Sequence, residues 1–199
     1  MRMNPRLFKL ALPAALALAL AGCISLGGGK APPTLINLTP ASAAPAGTAA
    51  SGKAGEAIVV IDPETDRRLA VQRVAVSLDP ANVAYMQDAM WVERPSRLFR
   101  GLLAETLRAK GGRLVFEDAE AHASGRTRLS GRLLDIGYDA ASQSVVVRYD
   151  AVLEAPGGAI TTKRFESRIP NVEPKAKAAA AALNEAANDV AKQVADWIG

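Results

Sequence analysis

Cysteine and histidine are almost missing from this chain of 199 residues, which has one of each. A single cysteine excludes a disulfide framework, a zinc ribbon and a CxxC redox centre together. A single histidine excludes a multi-histidine metal site within one chain. Aromatic residues supply 5% of the sequence and alanine 40 positions, so the 49% hydrophobic fraction overstates the large apolar surface available. Acidic residues are absent before Glu56. The apolar run Leu10 to Ala21 has only twelve residues, broken by Pro13, too short to span a bilayer as a helix. The length suits one domain with one packed core.

What stands at the N-terminus is an address. Arg2, Arg6 and Lys9 form a positive region before the apolar run, which ends in Leu20-Ala21-Gly22-Cys23. This fits a signal peptide, with small residues where a peptidase must approach the backbone. Cys23 has three readings: an inert buried thiol, a reactive nucleophile, or an acceptor of diacylglycerol. Charge, apolar run and flanking small residues agree with the last, and the segment resembles the bacterial lipoprotein signal. That resemblance implies cleavage before Cys23, a thioether-linked diacylglycerol and an acylated (palmitate-type) amino group. Several acyl chains exceed what stable anchoring requires. Ile24, in place of the aspartate that retains enterobacterial lipoproteins at the inner membrane, implies the outer membrane by the same resemblance. Removing residues 1–22 takes three basic and no acidic side chains, leaving 21 basic against 20 acidic and a net charge of +1.

The expected organisation is a signal peptide over 1–22, then anchor, tether and loop over 23–55, and a folded body over 56–199. Ser25 to Pro33 reads as a tether rich in glycine and proline. Thr34 to Leu38 reads as a short strand. Ala41 to Gly55 has no large apolar residue and reads as a mobile loop. In the body, Ala57 to Ile61 predicts a buried strand, and Leu69 to Leu78 a strand with Val74, Val76 and Leu78 on one face. Tyr85-Met86 and Met90-Trp91-Val92 flank a polar turn at Gln87-Asp88. Pro95 opens a helix that Gly111-Gly112 ends, and Leu114 to Phe116 follows as a strand. Thr127 to Tyr138, Ser144 to Ala155 and Ala159 to Ile169 predict three strands joined by hairpin-length separators. In the middle one Val145, Val147, Tyr149, Ala151 and Leu153 share a face. Pro174 to Ile198 is alanine-rich and helical, with the stripe Ala176, Ala180, Leu183, Ala187, Val190, Val194 and Trp197 facing either the sheet or another chain. The expected fold is α+β, one domain with a largely antiparallel sheet packed by two helices.

Chemistry is hard to find. His122 lies among Glu117, Asp118 and Glu120 in a polar stretch without spacing that would converge ligands. Ser96 and Ser124 lack a nucleophile elbow. Gly27-Gly28-Gly29-Lys30 lacks the GxxxxGK[ST] pattern of a phosphate loop. Arg126 to Arg132 and Arg164 to Arg168 alternate in charge, as a solvated sheet face does. The sequence therefore predicts no enzyme, no cofactor, no metal and, given the export signal, no nucleic-acid partner.

Tyr85-Met86-Gln87-Asp88-Ala89-Met90-Trp91-Val92-Glu93-Arg94-Pro95 and the leucine-rich helix behind it resemble the centre of the ABC-type transport auxiliary lipoprotein family. Leu129-Ser130-Gly131, Arg164-Phe165-Glu166 and the closing helix with Leu183-Asn184 and Trp197 resemble it too. Leu35-Ile36 replaces the family's usual aromatic in the early strand. The resemblance implies a non-catalytic lipoprotein of the periplasmic side. It would serve an MCE-type (mammalian cell entry) ABC system moving phospholipids or related hydrophobic molecules. Its implied partners are the outer membrane and the MCE-domain protein, with self-assembly into a homo-oligomer left open. Tyr85, Met86, Met90 and Trp91 suit an adaptable docking surface, although Met and aromatic stripes are usually ordinary core. A general envelope-assembly lipoprotein without a transporter is the rival reading. Replacing Cys23→Ser should abolish processing and membrane retention in fractionated cells; unchanged processing would refute acylation at that thiol.

Overall fold

The computed structural model describes residues 34–117 and 126–199. The predicted signal peptide, Cys23 and the tether lie outside the described residues, as do His122 and Ser124. In chain order the elements are β1 (Leu35–Ile36), β2 (Ile58–Val60), β3 (Glu64–Thr65), β4 (Arg73–Ser77), β5 (Val83–Trp91) and α1 (Pro95–Lys110). They continue with β6 (Val115–Glu117), β7 (Thr127–Asp139), β8 (Ser144–Glu154), β9 (Ile160–Ile169) and α2 (Ala176–Ile198).

Strand β7 organises the sheet. One of its edges pairs antiparallel with β8, from Arg128↔Glu154 to Asp139↔Ser144, and β8 pairs antiparallel with β9 from Glu154↔Ile160 to Val145↔Ile169. Its other edge takes three short parallel partners in succession. These are β2 at residues 127–129, β3 at Arg132 and Leu133, and β4 at 137–139. Beyond β2 lies β6, and beyond β4 lie β5 and then β1. The long ladders are the antiparallel ones, so the sheet is largely antiparallel, as expected. The parallel partners have two to five residues each, too few for periodicity to state a direction.

Leu133 pairs with Tyr149 and Asp135 with Arg148, which leaves Leu134 as an extra residue in β7. This bulge changes the parity of the strand. Leu129 and Leu133 face the core before it, and Ile136 and Tyr138 after it, all nearly inaccessible. Two glycines let neighbours approach. A Cβ on Gly131, whose φ is +142°, would lie 2.0 Å from the Asp150 carbonyl oxygen, and one on Gly137 would lie 2.5 Å from that of Ala75.

Both helices cover one face of the sheet. Helix α1 begins with Pro95 in its first turn and ends before Gly111 and Gly112, with φ of +77° and +83°. These are the residues that spacing pointed to. Helix α2 buries Ala179, Ala182, Leu183, Ala186, Ala187, Val190, Ala191, Val194 and Ala195 against the sheet and α1. That stripe is broader than the predicted one, because alanines on both flanks allow close approach. Val145, Val147, Tyr149 and Ala151 of β8 point into this layer, with Leu153 packed at its margin. The rings of Phe99 and Tyr149 meet edge to face at 5.3 Å, and Phe165 meets Trp197 at 5.6 Å.

Three local expectations differ. The runs on either side of Gln87-Asp88 form one strand, β5, with Asp88 at φ +55° inside an irregular stretch rather than at a turn between two strands. Val74 is buried and Val76 half-buried, but Leu78 is 49% exposed, because it sits where the β4–β5 hairpin runs out into solvent. Residues 41–44, at the start of the predicted loop, lie along the helices, their Ala41 and Ala44 amides donating to side-chain oxygens of α2 and α1.

Gly137→Ala should destabilise the protein by about 1–3 kcal/mol through overpacking at β4, read as a lower denaturation midpoint. Gly101→Ala, on α1 with open space at its Cβ, should be neutral or stabilising by up to about 1 kcal/mol. Equal effects at the two positions would contradict the close approach.

Candidate docking surface

Strand β5 carries all four residues of the predicted docking patch, and the pleat, shifted by the irregularity at Asp88, divides them. Trp91 is 1% exposed and Met86 8%, both within the core. Tyr85 is half-buried; the Arg73 guanidinium lies 4.5 Å from its ring centroid, and its hydroxyl donates to the Arg68 carbonyl at 3.4 Å. Met90 alone of the four is exposed, at 38%. The residues therefore do not form one surface. Alternation at 90, 91 and 92 puts Met90 and Val92 outside and Trp91 inside. The Trp91 indole N–H is buried with no acceptor among the described residues.

Met90 has exposed apolar neighbours that composition did not single out. Leu35 on β1 is paired with it in parallel register, and Val92 follows two residues on. The Val92 amide donates to the Ile36 carbonyl at 2.9 Å, and Gln72 Nε2 donates to the Val92 carbonyl at 2.9 Å, so the row is held at both sides. A second apolar pair, Leu78 and Val83, stands at the hairpin tip. One Asp79 oxygen, Oδ1, accepts from the Ala81 and Asn82 amides, and the Asn82 side-chain amide bonds both carboxylate oxygens. The Asn82 side chain leads these bonds in holding the Asp79 carboxyl below the ordinary carboxylate range. The Asp79-Pro80 turn signal could have flagged the tip, since residues flanking such a turn have no strand beyond them to bury against.

The sheet face away from the helices is polar. Arg148 bridges Asp135 at 2.8 Å and Glu166 at 2.6 Å, and the bond to Glu166 raises its guanidinium further above the usual value. Arg68 donates both to Asp135 and to the carbonyl of the bulged Leu134. Arg164 grips Asp150 with bonds of 2.6 and 2.7 Å, which holds that carboxyl below its ordinary range. Arg132 pairs with Asp66. Arg168 donates to the Ser142 and Ser144 hydroxyls and reaches Asp139 at 3.4 Å. Desolvation pushes the Asp139 carboxyl up, but bonds from Ser142, Arg168 and the Ala141 amide outweigh it and hold the carboxyl low. Alternating charge on these strands thus becomes cross-strand pairing. A shallow groove of about 180 Å³ lies here, lined by Arg68, Arg148 and Arg168 among others. Each of those guanidiniums already has a carboxylate.

Burial pushes the Tyr149 phenol well above its ordinary pKa, and its hydroxyl donates to the Ser130 carbonyl at 2.6 Å. It is a core group, not a general acid. Among the described residues no three His, Cys, Asp or Glu side chains converge as a metal site, and no helix is long and apolar enough to cross a membrane. Ser96 is buried in the first turn of α1.

The family model described as the ABC-type transport auxiliary lipoprotein component matches residues 37–195. Among solved structures, protein XCC0632 from Xanthomonas campestris is similar, with 17% identity, 83% of this chain and 92% of that one covered, and a TM-score of 0.63. A crystal structure of an uncharacterized protein covers 73% of this chain and 93% of its own, with 13% identity and a TM-score of 0.62. At these identities the likeness concerns the fold. PelC from Paraburkholderia phytofirmans, solved as a dodecamer, is more distant, with 16% identity, coverage of 74% and 92%, and a TM-score of 0.42. No curated protein matches significantly.

Trp91→Ala should cost about 3–5 kcal/mol of stability, read by thermal or denaturant unfolding. Val92→Ser should stay within about 0.5 kcal/mol of wild type. A mild Trp91→Ala would contradict its place in the core.

Proposed function

The chain belongs to the ABC-type transport auxiliary lipoprotein family, and we propose that it serves an MCE-type ABC system as the lipid-anchored docking subunit. In this reading Cys23 carries the acyl chains and holds the body at the periplasmic face of the outer membrane. The body binds the MCE-domain protein of a transporter for phospholipids or related hydrophobic molecules, and works by binding rather than by catalysis. The observation that carries the proposal is the family match, which spans 37–195 and so takes in both helices and nearly the whole sheet.

The surface that suits such a partner is not the four-residue patch of the sequence reading. Leu35, Met90 and Val92 form an apolar row at the edge of the sheet, and Leu78 with Val83 form a fixed apolar tip. Flexible Met90 can adapt to a partner's surface, while Met86 and Trp91 hold the strand that presents it. Apolar side chains at a docking site supply affinity only when they are buried by the partner. Self-association through the same surface would give the homo-oligomer that the sequence reading left open.

Affinity capture of the acylated protein from its own membranes tests the proposal. The expected result is recovery of an MCE-domain protein, which the fully folded Met90→Ser/Val92→Ser variant recovers at least tenfold less. Capture that never contains an MCE-domain protein would refute the transporter role and favour the general envelope lipoprotein.

A further inference from the structure

The apolar row at the sheet edge ends in a cation. Leu35 of β1, Met90 of β5 and Arg73 of β4 are successive cross-strand partners, so their side chains share one face. All three are exposed, whereas Ile36 and Trp91 beside them are buried on the opposite face. The Trp91 amide donates to the Gln72 carbonyl at 2.9 Å, which carries the antiparallel register onward and brings Val71, also exposed, opposite Val92. The patch is thus four apolar side chains with one guanidinium at its inner end.

Arg73 differs from other arginines of the open sheet face. Arg68 pairs with Asp135, Arg148 with Asp135 and Glu166, and Arg168 with Asp139, but Arg73 pairs with no carboxylate among the described residues. Its guanidinium lies over the Tyr85 ring, 4.5 Å from the centroid. That ring is itself held, because the Tyr85 hydroxyl donates to the Arg68 carbonyl. An aromatic platform positions the planar fork of donors and leaves its net charge uncancelled. Arg73 therefore offers a charge-assisted contact in a set place, of the kind a carboxylate takes best.

Spacing identifies the chain that carries this carboxylate. Neighbouring strands lie about 4.8 Å apart, so the row across three strands is about 10 Å long. Along an α-helix, residues i+3 or i+4 rise about 5–6 Å beyond i, and residue i+7 about 10 Å. An extended chain repeats each face about every 6.7 Å and falls out of step with the row. An anionic lipid surface attracts clusters of basic side chains; here one guanidinium is fixed on a ring, and the chain after residue 22 has 21 basic against 20 acidic residues.

We infer that this patch receives an acidic amphipathic helix of the docking partner. Apolar residues at i and at i+3 or i+4 of that helix seat against Leu35 and Met90, flanked by Val92 and Val71, and an aspartate or glutamate at i+7 pairs with Arg73. The inference rests on the docking reading of the same row and adds the partner's secondary structure and charge. The single cation also sets direction: a helix laid the other way along the row would leave its carboxylate among apolar side chains and Arg73 unpaired.

Photo-crosslinking in cells that make the full acylated chain tests the inference. p-Benzoylphenylalanine replaces Val92, at the margin of the patch, and mass spectrometry reads the peptide it captures. The expected adduct is a segment of another protein with apolar residues one turn apart and an aspartate or glutamate two turns from the first. Arg73→Glu should lower its yield at least tenfold, and Arg73→Lys, which keeps the charge, should lower it less. Thermal unfolding of each variant separates lost docking from lost folding, and Arg73→Gln decides in place of Arg73→Glu if the latter does not fold. An adduct with a second copy of this chain, with lipid or with a segment lacking the carboxylate would overturn the acidic helix. So would no adduct, or equal yields from wild type and the charge-removing variant. An acidic helix from a protein without an MCE domain would leave the inference standing and refute the transporter role. An MCE-domain segment without the carboxylate would do the reverse.

Discussion

The sheet depends on one strand, β7, making incompatible demands on its two edges. One edge must run straight along β8 for its whole length, while the other must accept β2, β3 and β4 in turn. A regular strand would keep one parity throughout and would send either its first or its second half of apolar residues into solvent. Leu134 resolves this by inserting one residue, so that Leu129, Leu133, Ile136 and Tyr138 all reach the core. The inserted carbonyl needs a donor, and Arg68 supplies it. Gly131 and Gly137 remove the side chains that would push neighbouring backbones away. Without these devices neither helix would have a continuous apolar surface to cover.

The division of labour between the two faces follows from that strand. Toward the helices, small alanines on α2 let it settle close to the sheet, and the few aromatic rings meet in pairs. Away from them, no helix shields the surface, and charged side chains pair across strands. Most of these pairs are partly exposed, and each contributes little to stability. Their value is positional: they occupy the open face with groups that prefer water, and the large exposed apolar side chains lie mostly near β4 and β5, with Ile160 on β9 apart.

Elements with strong periodicity or strong punctuation were legible from sequence. The meander from Thr127 to Ile169 is set by alternation and by Pro156-Gly157-Gly158, and α1 by Pro95 and Gly111-Gly112. The α+β class followed from their sum. The strands that pair in parallel were legible as strands at Leu35, Ile58, Val74 and Val115, but not in their direction, and Glu64-Thr65 was not legible at all, since a two-residue strand exists only because β7 lies beside it. Of the four residues singled out on β5, Met86 and Trp91 prove to be core and Met90 is exposed. Trp91 and Met90 are adjacent and both large, and only the pleat decides which is outside. Leu35 and Val83 are exposed because of where strands end, which composition does not encode. The docking of residues 39–44 on the helices was missed because Asn184 and Asn188 read as ordinary polar positions on a helix until backbone amides lie against them.

Strand β9 pairs with β8 on one side, and no strand occupies its other side among the described residues. Lys163, Arg164, Glu166 and Arg168 stand along it, with Thr161 and Thr162 between them and the turn. A chain held by acyl groups shares a two-dimensional layer with its copies, where neighbours meet far more often than in solution. An open, apolar strand margin in that layer would recruit the next copy into a growing ribbon. Charged side chains along β9, most of them paired with neighbours on β8 or beyond, leave the margin polar rather than apolar apart from Ile160 at its start, so crowding at the membrane need not become aggregation.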